Sequence, residues 1–316
     1  MNNSFKDYLE LQGKSKSTIS HYNSHVLDFI AWLDRDNTEI ENCTAKEVLS
    51  YLNHLQKKGQ SNKTRGMRLG VIKQFFNWQI EQGRLSANPI THLKIRGTKT
   101  QKLYPLLNRQ ELEQIYINYQ IPDENDPRQN RNWFRGYKLS KERNRIILSL
   151  LINQGLTTTE ISRLTVFDLK LRQGEIYIAG TRKSNERTLK LKSNQVMDLM
   201  ESLQLRKLFL PYQENKSVDR LFLSLPTAGR SSTAKEMTLS IFKGLTKEIK
   251  IQNPNFINFK QVRTTVITNW LKQYNLREVQ YMAGHRYVSS TEAYLINQVE
   301  DLQMDIDKFH PLSGIN

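Results

Sequence analysis

The chain has 316 residues, 38% of them hydrophobic, and 47 Lys and Arg against 31 Asp and Glu give it a net charge of +16. That length suggests about two domains, and apolar runs such as Ile146 to Ile152 fall far short of the ~20 residues a bilayer helix needs. Its opening shows no basic-then-apolar leader, and the single cysteine, Cys43, excludes an intramolecular disulfide framework and a cysteine-based zinc site.

Cys43 is read as a passive thiol, and the chain as a cytoplasmic protein with no membrane partner. Residues 1–95 hold 13 basic and 9 acidic side chains. The remainder is more basic still, so the excess charge is not a detachable tail. A polyanion is the natural partner, because neutralising phosphates releases counterions. A basic enzyme that meets no nucleic acid is the alternative.

In chain order, Ser15 to Thr18 opens a helix on which Tyr22, Val26, Phe29, Ile30 and Leu33 recur at steps of three and four. Thr44 and Glu47 form a capping-box pattern ahead of Val48, Tyr51, Leu52 and Leu55. A further helix follows Ser61, carries Leu69, Ile72, Phe75, Phe76 and Ile80, and ends near Gly83 and Asn88-Pro89. Residues 1–90 thus read as a domain of four main helices. Residues 91–108 are basic and aperiodic and read as a linker, suited to closing a two-domain clamp around a duplex, or as an ordinary surface connection. In residues 109–316, Asn108 to Glu111 starts a helix, 122–137 reads as a polar loop, and 142–154 as a buried helix. A short helix is expected from Thr157 to Leu164. Residues 175–179 and 187–191 alternate about a polar turn, which predicts a small β-hairpin. Helices are expected at 194–208, 232–250, 260–274, 276–283, 289–296 and 298–309. The fold class is therefore mainly α with a small β-sheet or hairpin.

The residues that carry chemistry lie near the end. Lys260 and Arg263, at i and i+3, share one helix face. Gly284-His285-Arg286 follows, and Tyr294 stands nine residues after His285. Each alone is weak; the order and spacing together are specific. A tyrosine attacking a phosphodiester builds extra negative charge on the non-bridging oxygens. Arginine holds that charge with its permanently charged, planar fork, and histidine and lysine add hydrogen bonds or move protons. No metal-ligand cluster and no phosphate-cradling Gly-rich loop is recognisable, so neither a metal nor another cofactor is expected.

This pattern resembles boxes II and III of the tyrosine recombinase (phage integrase) family. The first ninety residues resemble its SAM-like core-binding domain, through Lys16 to Thr18, Tyr22, Phe29, Thr64, Phe75 to Trp78, Gly83 and Asn88-Pro89. Asn153 to Leu156, Glu160-Ile161, Leu164 and Asp168-Leu169 resemble box I. The resemblance implies a SAM-like four-helix domain followed by an α+β catalytic domain. It also implies site-specific recombination or integration, as in mobile elements, on double-stranded DNA in a homo-tetramer, with related recombinases or accessory proteins as further partners. Tyr294 would form a 3′-phosphotyrosyl link, Arg263 would grip the scissile phosphate, and His285 would assist. Lys260 stands where many members have histidine. The hairpin Gly180 to Arg187 would supply the general-acid lysine. Counting back from Arg187 favours position 182 in some members, but arginine rarely releases a proton, so Lys183 is preferred. Lys63, Arg65, Arg68, Lys73 and Arg182 would contact DNA, a solvated helix face being the alternative for those on the helix. Val299, Leu302, Met304, Ile306 and Phe309 would dock on a neighbouring protomer or pack at home.

One position departs from the pattern. Where the family's first arginine follows Gly-Leu, this chain has Thr157, and Arg163 lies about 240° further round a helix at ~100° per residue. Three readings follow: another basic residue fills the gap, the enzyme works without it, or the chain is a weakened DNA-binding homologue in a mixed assembly.

Overall fold

A computed structural model describes residues 4–98, 105–123, 125–212, 219–223 and 234–295. The chain forms two compact units, Met1–Lys102 and Leu103–Asn316.

The described part of the first unit holds four α-helices: α1 (Phe5–Leu11), α2 (Lys16–Arg35), α3 (Ala45–Lys57) and α4 (Asn62–Glu81). Each starts where a side-chain oxygen satisfies an otherwise unpaired backbone N–H: Ser4, Ser15, Thr44 and Ser61. Phe29, Leu52, Ile72 and Phe76 make its core. Phe5, Phe75 and Trp78 form a second aromatic cluster, with the Phe5 and Phe75 rings edge-to-face at 5.4 Å. Residues expected in a linker are partly absorbed here. Leu93 and Ile95 pack on this core, Lys73 Nζ donates to the carbonyls of Thr91 and Leu93 at 2.7 Å each, and Asn62 donates to the Arg96 carbonyl.

The second unit wraps helices around α6 (Phe134–Asn153). α5 (Arg109–Ile117), α8 (Ser193–Phe209) and α10 (Phe259–Leu271) pack on it. α6 begins eight residues before the helix expected at 142. Its first turns are amphipathic through aromatic and basic side chains. Phe134 and Leu139 are buried, Lys141 Nζ sits 4.6 Å from the Tyr119 ring centre, and Arg128 covers Tyr137 at 5.2 Å. A polar reading of those residues hides the period.

The expected hairpin is β2 (Glu175–Ile178) and β3 (Arg187–Lys190), and a two-residue strand β1 (Leu169–Lys170) extends it to three antiparallel strands in the order β1-β2-β3. Ile176 lies opposite Leu189 and Ile178 opposite Arg187, all four buried on one face. α7 (Thr158–Arg163), α9 (Ala234–Gln252), α11 (Leu276–Ala283) and α12 (Ser289–Glu292) complete the unit. α12 is one turn, shorter than the helix expected over 289–296; residues 293–295 continue as a turn. The helix expected at 298–309, with its docking positions Val299 to Phe309, lies outside the described residues.

Among the described residues, no helix is long and apolar enough to cross a membrane.

Gly155 joins α6 to α7. It adopts φ +57°, and an added Cβ would stand 3.1 Å from Val266 Cγ1 and 3.3 Å from Trp270. Gly155→Ala is expected to destabilise the protein by about 1–2 kcal/mol from the left-handed backbone alone, read as a lower denaturant midpoint at unchanged slope.

Candidate active site

Four segments of the second unit converge: the N-terminus of α7, the β2–β3 hairpin, α10, and the turn from α11 to Tyr294.

α7 starts at Thr157, whose Oγ1 accepts from the Glu160 N–H at 3.1 Å, while the Glu160 carboxylate accepts from Thr157 N–H (2.8 Å) and Oγ1 (2.9 Å). This capping box anchors Glu160 at 8% exposure. The other carboxylate oxygen accepts from Arg187 Nη1 at 2.7 Å, and Arg263 Nη1 lies 3.6 Å from Oε2. Burial opposes ionisation of Glu160, but the Arg187 hydrogen bond and the two arginine charges outweigh it and hold its pKa below the usual value.

Arg263, on α10, donates from Nη1 to the Gly155 carbonyl and from Nη2 to the Ala283 carbonyl, both at 2.6 Å. These bonds fix the plane of its guanidinium. The Tyr294 hydroxyl acts on the same group, favouring its charged form. Lys260, one turn earlier, is exposed.

Gly284 ends α11 with φ +68°, the left-handed cap that glycine favours, and turns the chain into His285. His285 Nε2 faces Arg263 Nη2 at 3.5 Å, and Nδ1 lies 2.9 Å from the Thr291 hydroxyl. Arginine can only donate, so Nε2 accepts and Nδ1 carries the proton to Thr291 Oγ1. Burial first, then the charges of Arg263 and Arg187, push the His285 pKa down to about 4. Its ring stacks on Tyr294 with centres 5.6 Å apart and 14° between planes. Tyr294 also packs against the small core of Ile267, Val279 and Ala283.

The hairpin turn is tied to this segment. Asn185 N–H donates to the Gly284 carbonyl at 3.0 Å, Arg286 Nη1 donates to the Arg182 carbonyl at 3.0 Å, and Ser184 bridges His285. Arg182 and Lys183 are exposed at the tip.

Tyr294, Arg263 and His285 therefore share one site, with Lys183 and Arg182 on the hairpin docked beside it and Lys260 on the same helix as Arg263. The α4 set divides. Lys63 is exposed. Arg65 is buried and bonds Asn62, Arg68 bonds Asp28 and Tyr51, and Lys73 holds the 91–93 carbonyls. Sequence reasoning missed two members of the site, Glu160 and Arg187. The signal for Arg187 was its position, two residues before the buried Leu189 on an alternating strand. The signal for Glu160 was its place three residues after a capping threonine.

The neutral His285 has a consequence for stability. Between its ordinary pKa of 6.5 and about 4, the unfolded chain takes up a proton that the folded chain refuses, so stability falls with pH across that window. The lowered Glu160 acts in the same direction below its ordinary 4.5. The thermal midpoint is expected to drop from pH 6.5 to pH 4.5, and to drop less steeply in His285→Gln; equal slopes in calorimetry would refute the assignment.

Residues 129–300 match the phage integrase family, and residues 3–83 match the phage integrase N-terminal SAM-like domain. The chain is 26% identical over 322 residues to tyrosine recombinase XerD of Listeria innocua serovar 6a, covering 98% of this chain and 99% of that one. It is 26% identical over 314 residues to tyrosine recombinase XerC of Haemophilus influenzae, covering 98% and 96%. Among solved structures, the XerH site-specific recombinase bound to palindromic difH substrate, a post-cleavage complex, shares the fold with TM-score 0.68 and 19% identity, over 92% of this chain and 79% of that one. The Tn1549 transposon integrase in complex with a circular intermediate DNA does so with TM-score 0.63 and 17% identity, over 91% and 92%. This chain belongs to the phage integrase family.

Proposed function

We propose that the protein is a tyrosine-type enzyme of site-specific DNA recombination, breaking and rejoining strands through a 3′-phosphotyrosyl link at Tyr294. The observation that carries this reading is the meeting of Tyr294 with Arg263 and His285 of the same chain, the rings stacked and the guanidinium beside the hydroxyl.

Tyr294 Oη forms a bond to phosphorus as the P–O5′ bond breaks, and the phenolic proton passes to water on the open side of the site. Arg263 holds a non-bridging oxygen. Neutral His285 is oriented by Thr291, so its imidazole lies beside the reacting centre without adding charge of its own. Lys183 protonates the leaving 5′ oxygen, and Lys260 faces the phosphate from the turn before Arg263. A free 5′-hydroxyl from another strand then attacks the phosphotyrosine, releasing the tyrosine and conserving bond energy without a nucleotide cofactor.

Double-stranded DNA is the substrate, met by both units, with Lys63 and Arg182 as outward phosphate contacts. Arg65, Arg68 and Lys73 act by shaping the α4 surface that carries Lys63. Relatives named as recombinases match nearly the whole chain, and solved relatives include a lambda integrase tetramer bound to a Holliday junction. They support a homo-tetramer working on DNA, and its place of work is proposed to be the cytoplasm. A catalytically weakened DNA-binding homologue acting in a mixed assembly is not favoured.

A nicked duplex that loses its 5′ fragment after cleavage should trap a denaturation-resistant adduct, and Tyr294→Phe should abolish it; retained tight binding with no adduct in the parent protein would sink the enzyme reading. Lys183→Ala should slow cleavage by about 10²–10⁴-fold. A bridging sulfur at the 5′ position, whose thiolate leaves without a proton, should restore most of that rate. If Arg182→Ala is the variant rescued instead, the acid is misassigned.

A further inference from the structure

The β3 arginine is not placed like a strand surface residue. Arg187 has no exposed side-chain area. Its Nη1 donates to Glu160 at 2.7 Å and its Nε to the Met282 carbonyl at 2.8 Å. Its Nη2 is buried with no hydrogen-bond partner among the described residues. The chain makes room for it at Gly284, where an added Cβ would collide with Nη1 and stand 2.9 Å from Cζ. The guanidinium therefore lies directly behind the Gly284-His285 turn that lines the site.

The charges at this floor are few enough to account for. Glu160, Arg187 and Arg263 expose 9%, 0% and 12% of their side chains, so their charges are weakly screened. Two guanidinium groups against one carboxylate leave the cluster at net +1. Remove Arg187, and Glu160 neutralises Arg263; an incoming phosphodiester then meets no net charge from this buried cluster. Arg187 cannot grip phosphate, being closed off, so it acts without contact, through its charge and through the groups in front of it.

We infer that Arg187 is the second fixed cation of this active site, a positioning residue that occupies Glu160 and so leaves the charge of Arg263 available to the scissile phosphate. The inference rests on the recombinase reading above. It accounts for a threonine at 157: a cation reaching the site from the far end of the hairpin replaces one expected from the N-terminus of α7. Thr157 itself serves the same carboxylate, as its cap.

The test compares single-turnover cleavage of the nicked duplex at saturating DNA. Arg187→Met should slow cleavage by about 10²–10³-fold, by analogy with the loss of one fixed, preorganised charge-stabilising group, with DNA affinity held within a few-fold. Glu160→Gln in the Arg187→Met background returns the cluster to +1 and should recover most of that loss, which a purely structural role would not do. A folded Arg187→Met that cleaves at the parent rate overturns the inference, and so does a folded double variant no faster than the single one. Should Arg187→Met fail to fold, Arg187→Lys decides: its charge should keep the rate within about tenfold, and a folded lysine variant as slow as Tyr294→Phe overturns the inference. If the parent protein yields no Tyr294-dependent adduct, the recombinase reading has failed instead. The His285 ring, titrated by NMR without DNA, then still reports on Arg187. Its pKa should rise in Arg187→Lys or Arg187→Met only as far as the charge is moved or lost; no change on losing the charge overturns the placement.

Discussion

One buried carboxylate organises the catalytic unit. Glu160 accepts from the cap of its own helix on one oxygen and from Arg187 on the other, with Arg263 close behind. Each contact comes from a different part of the chain: α7, the β-hairpin and α10. A lone carboxyl at this depth would be costly to keep ionised and would take up a proton, so the ionised Glu160 depends on all three segments being in place. Such a cluster is a poor source of net stability, because desolvation offsets most of the Coulomb attraction. What it contributes is geometry. The hairpin can lie in one place only, with Arg187 under Gly284, and that place sets the tip bearing Lys183 beside His285.

The same contacts explain why two glycines are needed. Gly155 takes a left-handed turn against Val266 and Trp270, and its carbonyl receives Arg263. Gly284 takes another, and the Arg187 guanidinium fills the room a side chain would have used. At Gly284 a backbone that must both reverse direction and admit a cation at van der Waals range leaves no space for a β-carbon, while at Gly155 it is the left-handed turn against Val266 and Trp270 that excludes one. Both turns present carbonyls inward, from Gly155 and Ala283, and the arginine between them is held flat before any substrate arrives.

Much of this was legible in the sequence where a local rule was at work. Capping pairs such as Thr44 with Glu47 and Asn108 with Glu111 mark helix starts because the cap is made within four residues. The spacing of Lys260, Arg263, His285 and Tyr294 marks the site because those residues come from nearby helices joined by short turns. The rest depends on contacts distant in sequence. β1 is too short for alternation to register. Lys73 reads as a phosphate contact until Thr91 and Leu93 are seen closing on it. Arg187 reads as a polar strand residue, although its partner Glu160 stands 27 positions away in sequence and its other neighbour, Met282, 95 away. A buried ion pair leaves no periodic trace, since each half looks like surface.

A cation that never touches substrate still favours reaction over binding. The bound phosphodiester carries one negative charge, and the five-coordinate state on the way to the phosphotyrosine approaches two. A fixed charge at fixed distance attracts the second roughly twice as strongly as the first, and only that difference accelerates the chemical step. In the proposed mechanism, direct contacts of Arg263 would act on both states, and much of their strength would go into holding the ground state. Arg187, fixed under the floor and closed to water, reorganises nothing as the charge grows and loses little of its field to solvent. His285 gains from the same arrangement. Burial first, and then the two guanidinium charges, keep it neutral, so its imidazole accepts from Arg263 instead of repelling it, and the charge beside it stays on arginines that cannot give up a proton.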